Sequence, residues 1–150
     1  MINVKFTMQD NTDAFKAAKD AALVKAMELI GQECENAVKD RTPVGTPDST
    51  EIVGYHGGNL RNSIVHEVVI DGDTIKAIIG TATFYAVWVE LGTGIHAANG
   101  DGRKTPWGWE DFNGDTHFTW GMKPRHYMKN GIEAVQPKME KMIEQCLKGQ

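Results

Sequence analysis

The sequence predicts an α+β fold, in which a small antiparallel β-sheet packs against a long N-terminal helix and a kinked C-terminal helix. Apolar residues recur three or four positions apart near both ends of the chain, which indicates helices, and alternate in the middle, which indicates strands. The turn signal Asp71-Gly72-Asp73 divides the alternating region into two strands. A chain of 150 residues has the usual size of one domain, so we expect a single domain over 1–150.

The composition excludes several classes of protein. With 41% hydrophobic and 24% charged residues, the chain resembles ordinary globular proteins. A net charge of −4 argues against a protein that grips nucleic acid through its phosphates. No run approaches the ~18 consecutive apolar residues of a transmembrane helix. The N-terminus lacks a basic region followed by an apolar run, so we expect no signal peptide.

The N-terminal part predicts a short strand and then one long helix. Ile2, Val4 and Phe6 alternate with polar residues, as in a half-buried strand. The helix extends from about Asp13 to Asp40. Its apolar residues form one stripe, which consists of Leu23, Met27, Ile30, Cys34 and Val38.

Residues 42–58 predict an exposed, mobile loop. Pro43 ends the helix before it, because the residue preceding a proline avoids helical φ and ψ. The loop contains two prolines and four glycines, and loops of this length are usually functional or disordered.

The next segment predicts an antiparallel hairpin. Its strands are Ile64–Ile70 and Thr74–Gly80, with Ile75, Ala77 and Ile79 on one face of the second strand. The following run, YAVWVELGT at 85–93, is strongly apolar and contains one carboxylate. Its β-branched residues favour a strand, and its short distance to Gly92 also fits one or two helical turns, so both assignments stay open.

The segment 94–121 is rich in glycine and tryptophan and is too poor in aliphatic residues to form a core of its own. We expect two short strands in it, Thr105–Trp109 and Thr116–Trp120, joined around Asn113-Gly114-Asp115. A final helix is expected to start at Lys123-Pro124-Arg125, with Pro124 at its first position. Pro137 should kink or split this helix.

Candidate catalytic and metal-binding residues are few. His96, Asp101, Asp115 and His117 would form a metal site only if the segment 94–121 folds back on itself; otherwise they are solvated loop residues. Ser63 and His66 would point to opposite faces of a strand, which argues against a nucleophile and base. Cys34 and Cys146 are expected to be free buried thiols, with a bridge between two packed helices as the alternative.

The most informative charge is Glu90, which lies between Val89 and Leu91. An unpaired carboxylate is costly to bury. It is therefore either exposed or paired with Arg61, Arg125 or a basic group of a neighbouring subunit. The tryptophans of the segment 94–121 either fill a small satellite core or form a protein interface, since aromatic residues are enriched at interfaces. These tryptophans are Trp107, Trp109 and Trp120.

Motifs in a fixed order carry a family resemblance. Thr42-Pro43-Val44-Gly45-Thr46 follows the long helix, and Gly58-Asn59-Leu60-Arg61-Asn62-Ser63-Ile64 precedes the hairpin. Tyr85-Ala86-x-x-Val89-Glu90-x-Gly92-Thr93 follows the hairpin, and Pro124-Arg125-His126-Tyr127-Met128 opens the final helix. From about residue 12 to 148 the chain resembles the neck or tail-completion (head–tail joining) family of long-tailed bacteriophages, named after the tenth gene product of a lambda-like coliphage. The insertion between Thr46 and Gly58 departs from the family pattern.

The resemblance implies a structural virion protein, made in the bacterial host cytoplasm and located where the head joins the tail. It implies a ring of identical subunits through which DNA passes without sequence-specific binding, with neighbouring head-completion and tail proteins as partners. It implies no catalysis, no cofactor and no membrane association. The expected contact residues are Glu90, Arg61, Arg125, Trp107, Trp109 and Trp120, and the expected docking segments are 42–58 and 94–121.

Two other functions compete with this one. A tail terminator that caps the tail tube shares the expected fold. A small metal-dependent hydrolase would use His96, Asp101 and His117. Gene order separates the first alternative from a neck protein, and elemental analysis tests the second.

Overall fold

The computed structural model describes residues 12–45, 57–110 and 114–149. Along the chain, the elements are α1 (Thr12–Arg41), α2 (Asn59–Asn62), β1 (Ile64–Asp71), β2 (Thr74–Thr81), α3 (Ala86–Leu91), a 3-10 turn (Gly94–His96), β3 (Trp107–Glu110), β4 (Thr116–Thr119) and α4 (Tyr127–Lys148). This architecture confirms the predicted α+β class. The strand predicted at 2–6 and most of the loop 42–58 lie outside the described residues.

The long helix α1 agrees with its prediction. Ile30, Cys34 and Val38 of the apolar stripe are buried, and Leu23 and Met27 are half-buried. The stripe faces two neighbours, since α1 packs against α4 and against both strands of the hairpin β1–β2. The helix owes its stability mainly to this packed face, as most helices in proteins do.

Helix α4 lies very close to α1 at Gly131. A Cβ atom at this position would lie 2.5 Å from Cγ2 and 2.7 Å from Cα of Val38. Because Cα of Val38 is a backbone atom and cannot move aside, a larger residue would clash here, and only glycine fits where the two helices cross. Further along α4, Val135 is buried against Ile30 and Cys34.

The boundaries of α4 differ from the prediction. The helix begins at Tyr127, so Pro124 lies before it and does not occupy its first position. The helix continues through Pro137 without a break, so the predicted split does not occur. Residues on both sides of Pro137 pack on α1, among them Val135 and Met139, and this packing holds the helix together where the proline removes a hydrogen bond.

The hairpin β1–β2 is antiparallel, as predicted, with Ile64 opposite Thr81 and Asp71 opposite Thr74. Strands β3 and β4 form a second two-stranded sheet, so the described strands make two small sheets where one was expected. The start of β1 is fixed by Ser63, whose hydroxyl lies 2.6 Å from the hydroxyls of both Thr81 and Thr83.

Hydrogen bonds of the Glu35 side chain link the hairpin to α1. The Glu35 carboxylate lies 2.5 Å from Nδ1 of His66 and accepts the His66 backbone N–H at 3.0 Å. It also accepts a hydrogen bond from Nζ of Lys39. The hydrogen bonds from Lys39 and His66 lower the pKa of Glu35, because they stabilise its charged form.

Candidate interaction surface

The apolar run that follows the hairpin is a helix, α3, and not a strand. Tyr85 and Val89, four positions apart, both pack against the core, and Ala86 between them is buried. This spacing places them on one helical face. The opposite side of the segment is exposed, and Val87 and Trp88 each have 51% of their surface accessible.

The Glu90 carboxylate binds the start of α4. Its Oε2 accepts the backbone N–H of Met128 at 2.9 Å, and its Oε1 accepts that of Lys129 at 3.1 Å. These are the second and third residues of α4, whose amides have no partner within the helix. A negative charge is also favourable at this end of a helix. Glu90 thus caps α4 from a different element of the chain.

Within the described residues Glu90 therefore pairs with neither Arg61 nor Arg125, and its pairing with a neighbouring subunit stays a prediction. Nη2 of Arg61 lies 3.7 Å from Asp40, and Arg125 approaches α3 through its backbone N–H, which binds the carbonyl of Val89 at 2.9 Å. The sequence did carry one signal for this contact, since no Ser, Thr, Asp or Asn stands just before Tyr127 to cap the helix locally. His126 precedes α4 in the left-handed conformation, with φ of 50°, and its side chain makes no capping hydrogen bond.

Tyr127 anchors α4 beneath α3. Its side chain is 1% exposed, and its hydroxyl donates to the carbonyl of Ala86 at 3.4 Å. Burial, together with the nearby Glu90 carboxylate, raises the pKa of the Tyr127 phenol. The first turn of α4 is therefore held by α3 through both an apolar contact and a cap.

The segment after α3 returns to it by a short backbone pairing. The N–H of Thr93 binds the carbonyl of Met122 at 2.8 Å, and the N–H of Ile95 binds that of Trp120 at 3.0 Å. Gly92 makes this return possible, since its φ is 74° and a Cβ atom would lie 2.7 Å from the Met122 carbonyl oxygen. The pairing brings residues 120–122 beside α3.

The hairpin β3–β4 confirms the prediction of two strands in the segment 94–121. Its two strands pack against each other and make few contacts with the other described elements. Trp107 is half-buried, with the Arg103 guanidinium 5.7 Å from its ring centre. Trp109 stacks on His117 at 4.6 Å and remains 52% exposed.

Among the described residues between 84 and 122, eight large apolar side chains are exposed, and we call this set the aromatic surface. Phe84 is the most exposed of them at 78%, and its ring lies edge-on to Trp88 at 5.8 Å. A groove of about 360 Å³ runs beside Val87 and Trp88 and is bordered by Asp101. The aromatic surface consists of Phe84, Val87, Trp88, Ile95, Trp109, Phe118, Trp120 and Met122.

The candidate catalytic and metal-binding residues are placed as follows. Ser63 and His66 belong to separate hydrogen-bond networks, with the neighbouring threonines and with Glu35 respectively. Within the ranges 12–45, 57–110 and 114–149, no group of three or more His, Cys, Asp or Glu side chains is arranged to hold a metal ion. Cys34 and Cys146 are free thiols, so the bridge between them is not formed; Cys34 is buried as predicted, whereas Cys146 is only half-buried. None of the helices described is long and apolar enough to cross a membrane.

Comparison with known proteins gives one match. Residues 6–92, more than half of the chain, match the family model described as "Bacteriophage HK97-gp10, putative tail-component". No curated protein and no solved structure matches. The matched range includes α1, the hairpin β1–β2 and α3 with Glu90, and ends at Gly92. The chain therefore belongs to the HK97-gp10-like family of bacteriophage tail components.

Proposed function

We propose that this tail component joins the phage head to the tail, as a neck or tail-completion protein that assembles into a ring around the DNA channel. The observation that carries the proposal is the aromatic surface, with its eight exposed apolar side chains in the described part of the segment 84–122. Exposed apolar patches of this kind mark protein interaction sites in soluble proteins. A structural component of a virion needs such surfaces and needs no catalytic centre.

The position of the aromatic surface also supports docking. Its residues Val87 and Trp88 lie on α3, and the Glu90 cap and the buried Tyr127 fix α3 to α4. A surface held in this way loses little conformational freedom when a partner binds, which lowers the entropic cost of association. The neighbouring head-completion and tail proteins are the partners we expect, together with other copies of the chain.

The charge of the chain is compatible with a DNA conduit. A net charge of −4 gives no overall attraction to phosphates, so DNA in the channel would not be held by this protein. The tail terminator remains the alternative within the same class. The two functions differ in their partners, since a terminator binds the end of the tail tube and a neck protein binds head-completion proteins.

Electron microscopy of the purified protein and of labelled virions tests the proposal. We expect a ring in solution or on the particle, with the label at the junction of head and tail. A chain that is monomeric at all concentrations and also binds neither head-completion nor tail proteins contradicts it.

A matched pair of variants links the function to the aromatic surface. Trp88→Ser should leave the fold intact and weaken binding to the neighbouring proteins, because Trp88 is half-exposed on α3. Leu147→Ser is the control, since Leu147 is also exposed but lies near the end of α4. Equal binding by the two variants would remove the aromatic surface from the proposal.

A further inference from the structure

The hairpin β1–β2 has an apolar face without a partner in the described part of the chain. Its register places Val65 opposite Gly80, and Glu67 opposite Ile78. These residues point away from α1, since successive side chains of a strand alternate between faces. Val65 is 57% exposed and Ile78 is 50% exposed. We call this set, with Val69 and Lys76, the outward face.

One charged side chain on the outward face has no ion-pair partner among the described residues. Lys76 pairs with Asp71 at 3.0 Å, whereas Glu67 is exposed and forms no ion pair with any described residue. A surface that covers Val65 and Ile78 would also cover Glu67. Since a buried carboxylate needs a partner, that surface has to present a cation beside its apolar groups.

The aromatic surface supplies apolar groups on α3, and Arg125 supplies a cation whose backbone is bound to that helix. Arg125 is exposed, and its backbone is bound to Val89 of α3, the residue after Trp88. The Arg125 guanidinium forms no ion pair within the described ranges. Its planar fork suits a carboxylate such as Glu67.

We propose that the outward face of one copy docks on the aromatic surface of the next copy, with Glu67 opposite Arg125. This inference rests on the ring assembly proposed above and names the two faces that meet. The contact joins different surfaces of identical chains, and a head-to-tail contact of this type closes into a ring when its rotation allows.

The two surfaces meet between copies because they cannot meet within one. Ile64 and Ile79 of the hairpin and Tyr85 and Val89 beside or in α3 all pack on the same core. The outward face and the exposed side of α3 therefore both point away from that core. At 78% and 51% exposure, Phe84 and Trp88 supply roughly 300 Å² of apolar area, a substantial part of the ~800 Å² that each partner buries in a standard interface.

Charge reversal tests the contact. Self-association of the full chain is measured by sedimentation over a concentration series for the wild type, Glu67→Arg, Arg125→Glu and the double variant. We expect each single reversal to weaken association about tenfold. The double variant should recover to within about threefold of the wild type, because the pair is restored with its signs exchanged.

Two controls separate the pair from general charge effects. Glu140→Arg and Lys138→Glu make the same charge changes at exposed positions of α4 and should leave association unchanged. Thermal unfolding of every variant checks that the fold is kept.

Several outcomes overturn the inference: single reversals that associate like the wild type, a double variant no better than the singles, or a wild type without self-association. Rings that survive the single reversals leave the proposed function standing and remove only this contact. Absence of the protein from the head–tail junction, with no binding to neighbouring proteins, would instead overturn the proposed function.

Discussion

Tyr127 and Phe118 are aromatic residues nine positions apart, and their exposed fractions are 1% and 77%. They belong to two regions of the molecule, one in which apolar side chains are buried and one in which many of them are exposed. In the frame, formed by α1, α4 and the inward face of the hairpin β1–β2, apolar residues face one another. In the described part of the segment 84–122, eight large apolar side chains are exposed instead.

The difference follows from what each region has to pack against. The stripe of α1 meets a second long helix and a sheet, and the periodicity of each element brings its apolar residues to the shared side. The elements described in the segment 84–122 are short: a helix of six residues, a 3-10 turn of three and two strands of four. Such short elements cannot enclose a core, so most of their apolar groups remain available to a partner.

The sharpest test of this contrast removes one aromatic ring from each region. Tyr127→Ala should lower the free energy of unfolding by about 3–5 kcal/mol, because it empties a site in the core. Phe118→Ala should change it by less than about 0.5 kcal/mol, since its ring is largely in solvent. Urea unfolding measures both variants, and a comparable loss in the two would show that the segment 84–122 has a core of its own.

A smaller effect is expected at the joint between the two regions. Glu90→Gln should cost about 1 kcal/mol, because the neutral amide loses the charge at the start of α4 but keeps an acceptor oxygen. Hydrogen exchange at the Met128 and Lys129 amides should become faster. Glu140→Gln, an exposed change farther along the same helix, is the control. Unchanged exchange at both amides would contradict the capping role.

The smallest effect concerns pH. The pKa of Glu35 is lowered in the folded state, mainly by Lys39 and then by His66. Its contribution to stability is therefore present above the ordinary value of 4.5 and is lost as the pH falls through the folded value. In acid, the free energy of unfolding of Glu35→Gln should change less steeply with pH than that of the wild type. The difference in slope should be less than about 1.4 kcal/mol per pH unit, which is the limit for one proton. A slope equal to that of the wild type would exclude Glu35 as the group responsible.

The frame was largely predictable from the sequence. The stripe of α1 and the alternation of Ile75, Ala77 and Ile79 are local patterns, and the burial of these residues agrees with them. Asp71-Gly72-Asp73 fixes the hairpin register, since a short turn allows few pairings. The hairpin β3–β4 was predictable for the same reason.

The candidate site was less predictable because it depends on contacts between distant residues. Glu90 and the Met128 amide are 38 positions apart, and a backbone amide leaves no signature in the sequence. The helix α3 contains Val87 and Val89, whose β-branches favour strands. The segment is helical instead because a helix allows Tyr85 and Val89 to pack on the core together. The exposure of Phe84 and Phe118 also depends on the tertiary packing around them, which local sequence patterns do not specify.

The pairing of α1 with α4 has a consequence for synthesis of the chain. The two helices are separated by residues 42–126, which a ribosome needs on the order of 10 s to translate. During that interval Ile30, Cys34 and Val38 cannot be covered by α4. The hairpin β1–β2 and Leu60 of α2 just before it are translated much earlier, and among the described residues they are the first after α1 that can cover it. Docking of α4 then comes late, and the nascent chain depends on the hairpin to keep its most apolar stripe out of contact with other chains.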